Sequence, residues 1–165
     1  MNIIKILQDE FEREVNTTRK FLSIVPEDKF DWKPHAKSMS LKELASHVAE
    51  IPGWIPMTLQ DDGLDFAANA YTPPIVSNTK ELVDFFEKVV VNGREALSKT
   101  TEEQLMESWT MRNGEVIYET APKYKFLRDV YCQTTHHRAQ LGVYLRLNNI
   151  AIPGSYGPSA DELGM

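Results

Sequence analysis

Apolar residues recur at spacings of three and four along four stretches of the chain, a period that predicts amphipathic helices. The predicted helices cover residues 2–25, a stretch from Leu41 through Ile55, a stretch from Ser77 or Asn78 through Ala96, and the range from about Pro122 to Asn148. Polar segments at 26–39 and 61–74 separate the first three helices. Loops of this length permit a crossover topology and could cover the mouth of an active site.

Local signals mark the start of the second helix and a bend within it. Ser40 and Glu43 form a capping-box pattern, in which the serine side chain caps the helix and the glutamate bonds back to the serine N–H. Pro52 and Gly53 interrupt the helical pattern. Because the apolar spacing resumes after them, they predict a kink rather than the end of the helix.

A β-hairpin is predicted just before the last helix. The β-prone runs 108–112 and 115–119 flank Asn113-Gly114, which is the strongest short hairpin signal. Four long helices and one small hairpin predict an all-α four-helix bundle with long inter-helix loops. We expect the whole chain, residues 1–165, to form this bundle as a single domain.

Composition and charge narrow the classes of function. The net charge is −6 and the pI is near 5.2, which argues against the clustered Lys and Arg of a nucleic-acid-binding surface. No apolar run approaches the roughly 20 residues of a membrane span, and no signal peptide precedes the first helix, so we expect a cytoplasmic protein. Cys132 is the only cysteine; this excludes Cys-rich zinc sites, and we expect a small buried apolar residue there.

The last predicted helix carries the most informative polar residues. Gln133 and His137 stand four residues apart and share a face that is otherwise apolar. On a helical wheel, His137 lies within about 20° of the centre of this stripe, so we expect it to point inward. An imidazole buried there needs a partner, because an unpaired buried polar group costs roughly 1–3 kcal/mol.

His47 on the second helix is the natural third group. Two ligands on one helix and one from a facing helix form an open metal site, which leaves a position for water or substrate. A core-facing histidine is also frequently only hydrogen-bonded, so metal-binding, ligand-binding and structural roles all stay open at this point. His136 lies about 100° from His137 and is the weaker candidate, and Arg138 is expected on the flank of the helix.

Several segments of the chain resemble the DinB-like (DinB/YfiT) family. Leu44–Glu50 resembles the segment that carries the first metal histidine of these proteins. His136–Leu141 resembles their His-Arg-Gly-Gln motif, with Ala139 in place of the glycine. Residues 144–147 and 153–162 are similar to the ending of one large subgroup, so the resemblance covers nearly the whole chain.

The resemblance implies a four-helix bundle with three metal-binding histidines, one on the second helix and two on the last. The matching positions here are His47, Gln133 and His137, so glutamine replaces one histidine. A divalent ion, zinc or nickel, is expected between these helices, in an enzyme that acts on a small molecule as a hydrolase or as a transferase using a low-molecular-weight thiol. Arg138 is expected to orient an anionic substrate or to brace the site, and the family also implies a homodimer.

Gln133 leaves three outcomes open for the metal site. The glutamine amide is a weaker ligand that still holds the metal, His136 replaces it after a shift, or the pocket is metal-free. The last outcome describes a small-ligand-binding or purely structural bundle protein.

Overall fold

Six α-helices and a three-stranded sheet make up the structure, a computed structural model that describes residues 2–165. The helices are α1 (Ile3–Leu22), α2 (Leu41–Glu50), α3 (Trp54–Gln60), α4 (Thr79–Lys99), α5 (Glu102–Met106) and α6 (Lys123–Leu147). The strands are β1 (Gly63–Asp65), β2 (Ser108–Asn113) and β3 (Val116–Pro122). The fold is mostly helical, as predicted, but it has more helical segments than four and one strand more than the predicted hairpin.

Side-chain caps confirm two of the predicted helix starts. Ser40 Oγ accepts a hydrogen bond from the Glu43 N–H at 3.1 Å, and a Glu43 carboxylate oxygen accepts from the Ser40 N–H at 2.6 Å. At α4 the cap is Asn78 rather than Ser77, and its side-chain oxygen accepts from the Glu81 N–H at 2.8 Å. Each cap satisfies N–H groups that the first turn of a helix leaves without partners.

The predicted kink is present and divides the second helix into α2 and α3. A 3₁₀ turn covers Ile51–Gly53, because Pro52 has no N–H and cannot continue an α-helical hydrogen-bond ladder. The Pro52 carbonyl lies against α4 at Gly93, where an added Cβ would stand 3.0 Å from that oxygen. The glycine therefore allows the kinked segment to pack closely on α4.

The hairpin prediction is confirmed, and a third strand extends it into a sheet. β2 and β3 pair antiparallel, and Gly114 in their turn has a φ of +58°. β1 pairs with the other edge of β2 in parallel. Sequence analysis missed β1 because three residues are too few to show a period of two. An Asp65 carboxylate oxygen accepts from the Gly114 N–H at 2.9 Å and so ties β1 to the hairpin turn.

One apolar core lies between the long helices. α1 packs against α4 and α6, and α2 and α3 pack against the same two helices. The largest fully buried apolar side chains are Leu22, Leu41, Leu44, Ile51, Ile55, Leu59, Leu82, Phe86, Leu97, Leu127 and Leu141. The packing of α2 on α6 is what brings His47 close to His137. None of the helices within residues 2–165 combines the length and the apolar content that a membrane crossing requires.

The buried line along α6 differs from the predicted stripe. It passes through Thr134, Arg138 and Leu141 rather than through Gln133 and His137. The Arg138 side chain is only 2% exposed, whereas His137 is half-buried and Gln133 is exposed. The expectations that His137 points to the centre of the core and that Arg138 lies on the flank are therefore wrong.

Arg138 occupies the core because polar groups from distant parts of the chain surround its guanidinium. Its Nη2 atom lies 2.7 Å from the Glu14 carboxylate and donates to the Tyr156 hydroxyl at 3.1 Å, and its Nη1 donates to Thr18 Oγ1 at 3.0 Å. The Tyr156 hydroxyl in turn donates to Glu14 at 3.0 Å. Burying a guanidinium is tolerable only when its charge is paired, and here the pairing of its two terminal nitrogens joins α1, α6 and the C-terminal tail.

The tail and the outer face of α6 complete the fold. Residues 152–158 are not helical, as predicted, and the tail is held by Arg146 on α6, which binds Asp161 at 2.5 Å. Cys132 is exposed, contrary to the expectation that it is buried. Two positions along a helix correspond to about 200°, so Cys132 points away from the core that Thr134 faces.

Candidate metal centre

Two imidazoles from different helices face each other at the edge of the core. His47 lies on α2 and His137 on α6, and their ring centroids are 4.5 Å apart with the ring planes at 83°. Both side chains are half-buried. The tertiary structure thus brings together two of the three residues that the sequence singled out as metal ligands.

Glu50 orients the His47 ring from one turn further along α2. His47 Nδ1 lies 2.7 Å from the Glu50 carboxylate, and an ionised carboxylate only accepts hydrogen bonds, so the proton is on Nδ1. This leaves the Nε2 lone pair available. A carboxylate bonded to the far nitrogen of a histidine is the usual outer partner of a metal-binding imidazole, because it fixes both the tautomer and the ring orientation.

Gln140 plays the corresponding part for His137 on α6. His137 Nδ1 lies 3.2 Å from the Gln140 amide oxygen, and the Gln140 amide nitrogen lies 3.0 Å from His136 Nε2. Burial, followed by the neighbouring His47, lowers the pKa of the His137 imidazole below its usual value, which favours the neutral ring at pH 7. A neutral imidazole with Nδ1 occupied presents Nε2 as its free donor atom.

The third predicted ligand is not part of this arrangement. Gln133 is exposed, and its side chain forms no hydrogen bond with another residue in the range 2–165. His136 has its ring 4.8 Å from His137, but its Nε2 faces Gln140. No group of three or more His, Cys, Asp or Glu side chains within the described residues has the arrangement of a metal site. The protein side chains in place are therefore two imidazoles, with Gln133 one helical turn from His137.

Aromatic rings border the imidazole pair. The Trp54 ring centroid is 5.6 Å from that of His47, where the helix resumes after the kink. Tyr144, two turns after His137 on the same side of α6, packs edge-on against Trp32 with centroids 5.4 Å apart. Rings near a polar site can contact the apolar part of a small organic ligand.

A mainly apolar groove lies elsewhere on the described structure. It has a volume of about 420 Å³ and runs between α6 and the C-terminal tail, with Phe21 and Ile152 among its mainly apolar lining. None of His47, Gln133 and His137 lines it. The imidazole pair is therefore a separate site at the edge of the core.

Sequence analysis missed the residues that orient the imidazoles. Glu50 and Gln140 stand three positions after His47 and His137, and this i, i+3 spacing is a signal that could have identified them. Tyr71, whose hydroxyl donates to Glu50 at 2.9 Å, comes from a loop that no helical spacing connects to the site.

Arg138 does not reach the imidazole pair. Both terminal nitrogens of its guanidinium are used by the contacts to α1 and the tail. It is therefore not available to orient a substrate, and it braces α6 against α1.

Known proteins share both the sequence pattern and the fold. The model of the DinB family matches residues 3–163. The protein YrdA of Bacillus subtilis (strain 168) is 22% identical over 152 residues, which cover 92% of this chain and 87% of YrdA. The crystal structure of the DinB-like protein YjoA from Bacillus subtilis has a TM-score of 0.71 at 19% identity, covering 90% of this chain and 96% of that chain.

A more distant likeness connects the fold to a protein with a named activity. The crystal structure of the mycothiol-dependent maleylpyruvate isomerase has a TM-score of 0.60 at 17% identity. The match covers 84% of this chain and 60% of the isomerase chain. At this identity the likeness shows a shared fold.

Proposed function

The chain belongs to the DinB family, and from that membership we propose that it is a metal-dependent enzyme acting on a small molecule. In this proposal a divalent ion, zinc or nickel, is held between α2 and α6 by His47, His137 and Gln133. The observation that carries the proposal is the pair of facing imidazoles, 4.5 Å apart, each with Nδ1 already hydrogen-bonded. Both rings can then offer Nε2 to one ion.

The charge of Glu50 supports a cation at this position. Its side chain is 12% exposed, and no Lys or Arg of residues 2–165 forms an ion pair with it. Hydrogen bonds from His47 and Tyr71 stabilise this carboxylate, and a nearby positive charge would stabilise it further. A cation bound to the far side of the His47 ring would supply that charge.

The residues around the pair have separable tasks. When bound, zinc or nickel lowers the pKa of a coordinated thiol or water and so supplies a nucleophile at neutral pH. His47 and His137 offer two neutral nitrogen donors. Gln133 lies one turn from His137 and can turn its amide oxygen toward them, as a ligand weaker than histidine. Trp54 borders the space beside His47 and can contact the apolar part of a substrate.

We propose a low-molecular-weight thiol as the partner of the reaction. The support is by analogy: the mycothiol-dependent isomerase has the same fold, with a TM-score of 0.60. A hydrolase reaction would use the same two imidazoles with water in place of the thiol. Turnover that requires an added thiol separates these two reaction types.

Metal analysis of the purified protein tests the proposal. After removal of loosely bound ions, the wild-type protein is expected to bind about one zinc or nickel ion per chain, and His47→Ala or His137→Ala to abolish this. His35→Ala is the matched control, because His35 is exposed on a loop and its side chain accepts a hydrogen bond only from the Lys37 N–H. Gln133→His is expected to tighten binding by at least about tenfold, since imidazole is the better ligand. A wild-type protein that binds neither ion at micromolar concentration contradicts the proposal.

The position of Gln133 favours a second candidate function. Because Gln133 is exposed and no third His, Cys, Asp or Glu of residues 2–165 completes a site, the pair can also serve a metal-free small-ligand-binding protein. This candidate predicts wild-type protein without metal, and His137→Ala protein that folds but no longer binds its organic ligand. If His137→Ala changes only the thermal stability, the pair is purely structural.

A further inference from the structure

The loop between β1 and α4 reaches Glu50 through one hydrogen bond. Its beginning is tied to the sheet, where the Phe66 N–H donates to the Arg112 carbonyl at 2.9 Å. Its end is tied to the segment that follows α1, where Thr79 Oγ1 donates to the Val25 carbonyl at 2.6 Å. Within residues 70–76, the hydrogen bond from the Tyr71 hydroxyl to Glu50 is the only one that the described structure shows.

Tyr71 and His47 share one acceptor atom. The Tyr71 hydroxyl lies 2.9 Å and His47 Nδ1 lies 2.7 Å from the same Glu50 oxygen, Oε1. Burial of the hydroxyl end, followed by its hydrogen bond to Glu50, raises the pKa of Tyr71 to about 12, so the phenol stays protonated and donates at neutral pH. The ring itself is largely open to solvent, with 66% of Tyr71 exposed.

Two donors on one oxygen restrict the rotation of the Glu50 carboxylate. With only His47 as partner, the carboxyl group can turn its second oxygen toward His47 or exchange the contact for water. With Tyr71 in place, Oε1 accepts both hydrogen bonds and is held in one position. The fixed Oε1 in turn fixes the orientation of the His47 ring. Outer partners of this kind orient a histidine and raise its basicity.

We infer that Tyr71 is a positioning residue for His47, acting through Glu50, and that it couples the closure of the 66–78 loop to the orientation of the candidate metal ligand. The expected effect of Tyr71 on metal binding rests on the proposed function. The expected effect on the loop and on the His47 hydrogen bond does not, because it concerns the metal-free protein.

The Tyr71→Phe variant removes only the hydroxyl and leaves the ring. In metal-free protein we expect the backbone order parameters of residues 70–72, measured by NMR relaxation, to fall from near the rigid value of about 0.85 toward about 0.6, because the hydrogen bond that ties Tyr71 to Glu50 is lost. We also expect the His47 Nδ1–H, observed by NMR, to exchange with water several-fold faster, as Glu50 becomes free to turn. Tyr124→Phe is the matched control, since the Tyr124 side chain is 42% exposed on α6 and its hydroxyl forms no hydrogen bond within residues 2–165, and it should change neither the order parameters nor the His47 exchange rate.

Zinc affinity forms the second arm of the test. We expect Glu50→Gln to weaken zinc binding by about 10–100-fold, the usual effect of removing an outer partner, and Tyr71→Phe by up to about tenfold. The inference is overturned if Tyr71→Phe leaves the order parameters of residues 70–72 unchanged, or if it leaves the His47 Nδ1–H exchange within twofold of wild type. If both NMR observables change as expected while wild-type protein binds no zinc, the proposed function fails and the positioning role stands.

Discussion

Arg138 and Glu14 form a buried ion pair whose loss gives the sharpest stability prediction. Their side chains are 2% and 5% exposed, and their closest atoms are 2.7 Å apart. Arg138→Met keeps much of the aliphatic stem but removes the charge that compensates the Glu14 carboxylate. Breaking one side of such a pair costs about 3–5 kcal/mol. Arg13 is 64% exposed and lies 3.5 Å from Glu14, so it compensates part of the Glu14 charge. We therefore expect a loss at the lower end of this range, about 3 kcal/mol.

Urea unfolding followed by circular dichroism measures this loss. About 3 kcal/mol is a large share of the roughly 5–15 kcal/mol that stabilises an ordinary domain. It corresponds to a fall in Tm of about 6–12 °C at this chain length. Arg94→Met is the matched control, because Arg94 also pairs with α1, at Glu12, but with side chains 48% and 43% exposed. That exposed pair is expected to contribute less than about 1 kcal/mol.

A double variant separates the ion pair from simple packing. Replacing Arg138 and Glu14 together by Met leaves no buried charge, so the double variant should be more stable than Arg138→Met alone. The reasoning is refuted if Arg138→Met loses no more stability than Arg94→Met. It is also refuted if the two single losses simply add in the double variant.

The tail and the α4 contact provide two further tests. The side-chain hydrogen bond from Arg146 lowers the pKa of Asp161 to about 2, below the ordinary 3.8. Ionised Asp161 therefore stabilises the docked tail above about pH 4, and this contribution is lost as the pH falls toward 2. In Arg146→Gln, an NMR titration should find the Asp161 pKa raised toward 3.8. An unchanged pKa would contradict the role of Arg146 in lowering it. Gly93→Val should destabilise the protein by about 1–3 kcal/mol in thermal melts, because a Cβ there meets the Pro52 oxygen at 3.0 Å. Asn92→Val, at the exposed neighbouring position, is the control. An equal loss of stability in this variant would contradict the packing explanation.

Local interactions made several elements predictable from the sequence. The Ser40 capping box, the break at Pro52 and the turn at Gly114 each depend on atoms within about four residues of one another. Such contacts form whatever the rest of the chain does, so residue type and spacing suffice to identify them. β1 escaped prediction because its strand character comes from β2, which lies more than forty residues later in the chain.

The candidate site was predictable only in outline. The sequence singled out His47 and His137, and the packing of α2 on α6 brings their rings to 4.5 Å. The orienting residues Glu50 and Gln140 follow them at a spacing that was visible but had no assigned role. Tyr71 was beyond sequence analysis, because a loop residue reaches its partner only through the path of the folded chain.

Tertiary structure alone decided which face of α6 enters the core. A helical wheel sets polar residues outside the apolar stripe, and by that measure Arg138 belongs on the flank. Its partners Glu14 and Thr18 stand about 120 positions earlier in the chain, and together they make the guanidinium acceptable in the interior. The resulting orientation of α6 about its axis places His137 at the core edge and Gln133 in solvent. The sequence thus determined which residues are candidates, and long-range pairing of charge determined where each of them points, because the cost of burying a charge depends on neighbours that no local pattern contains.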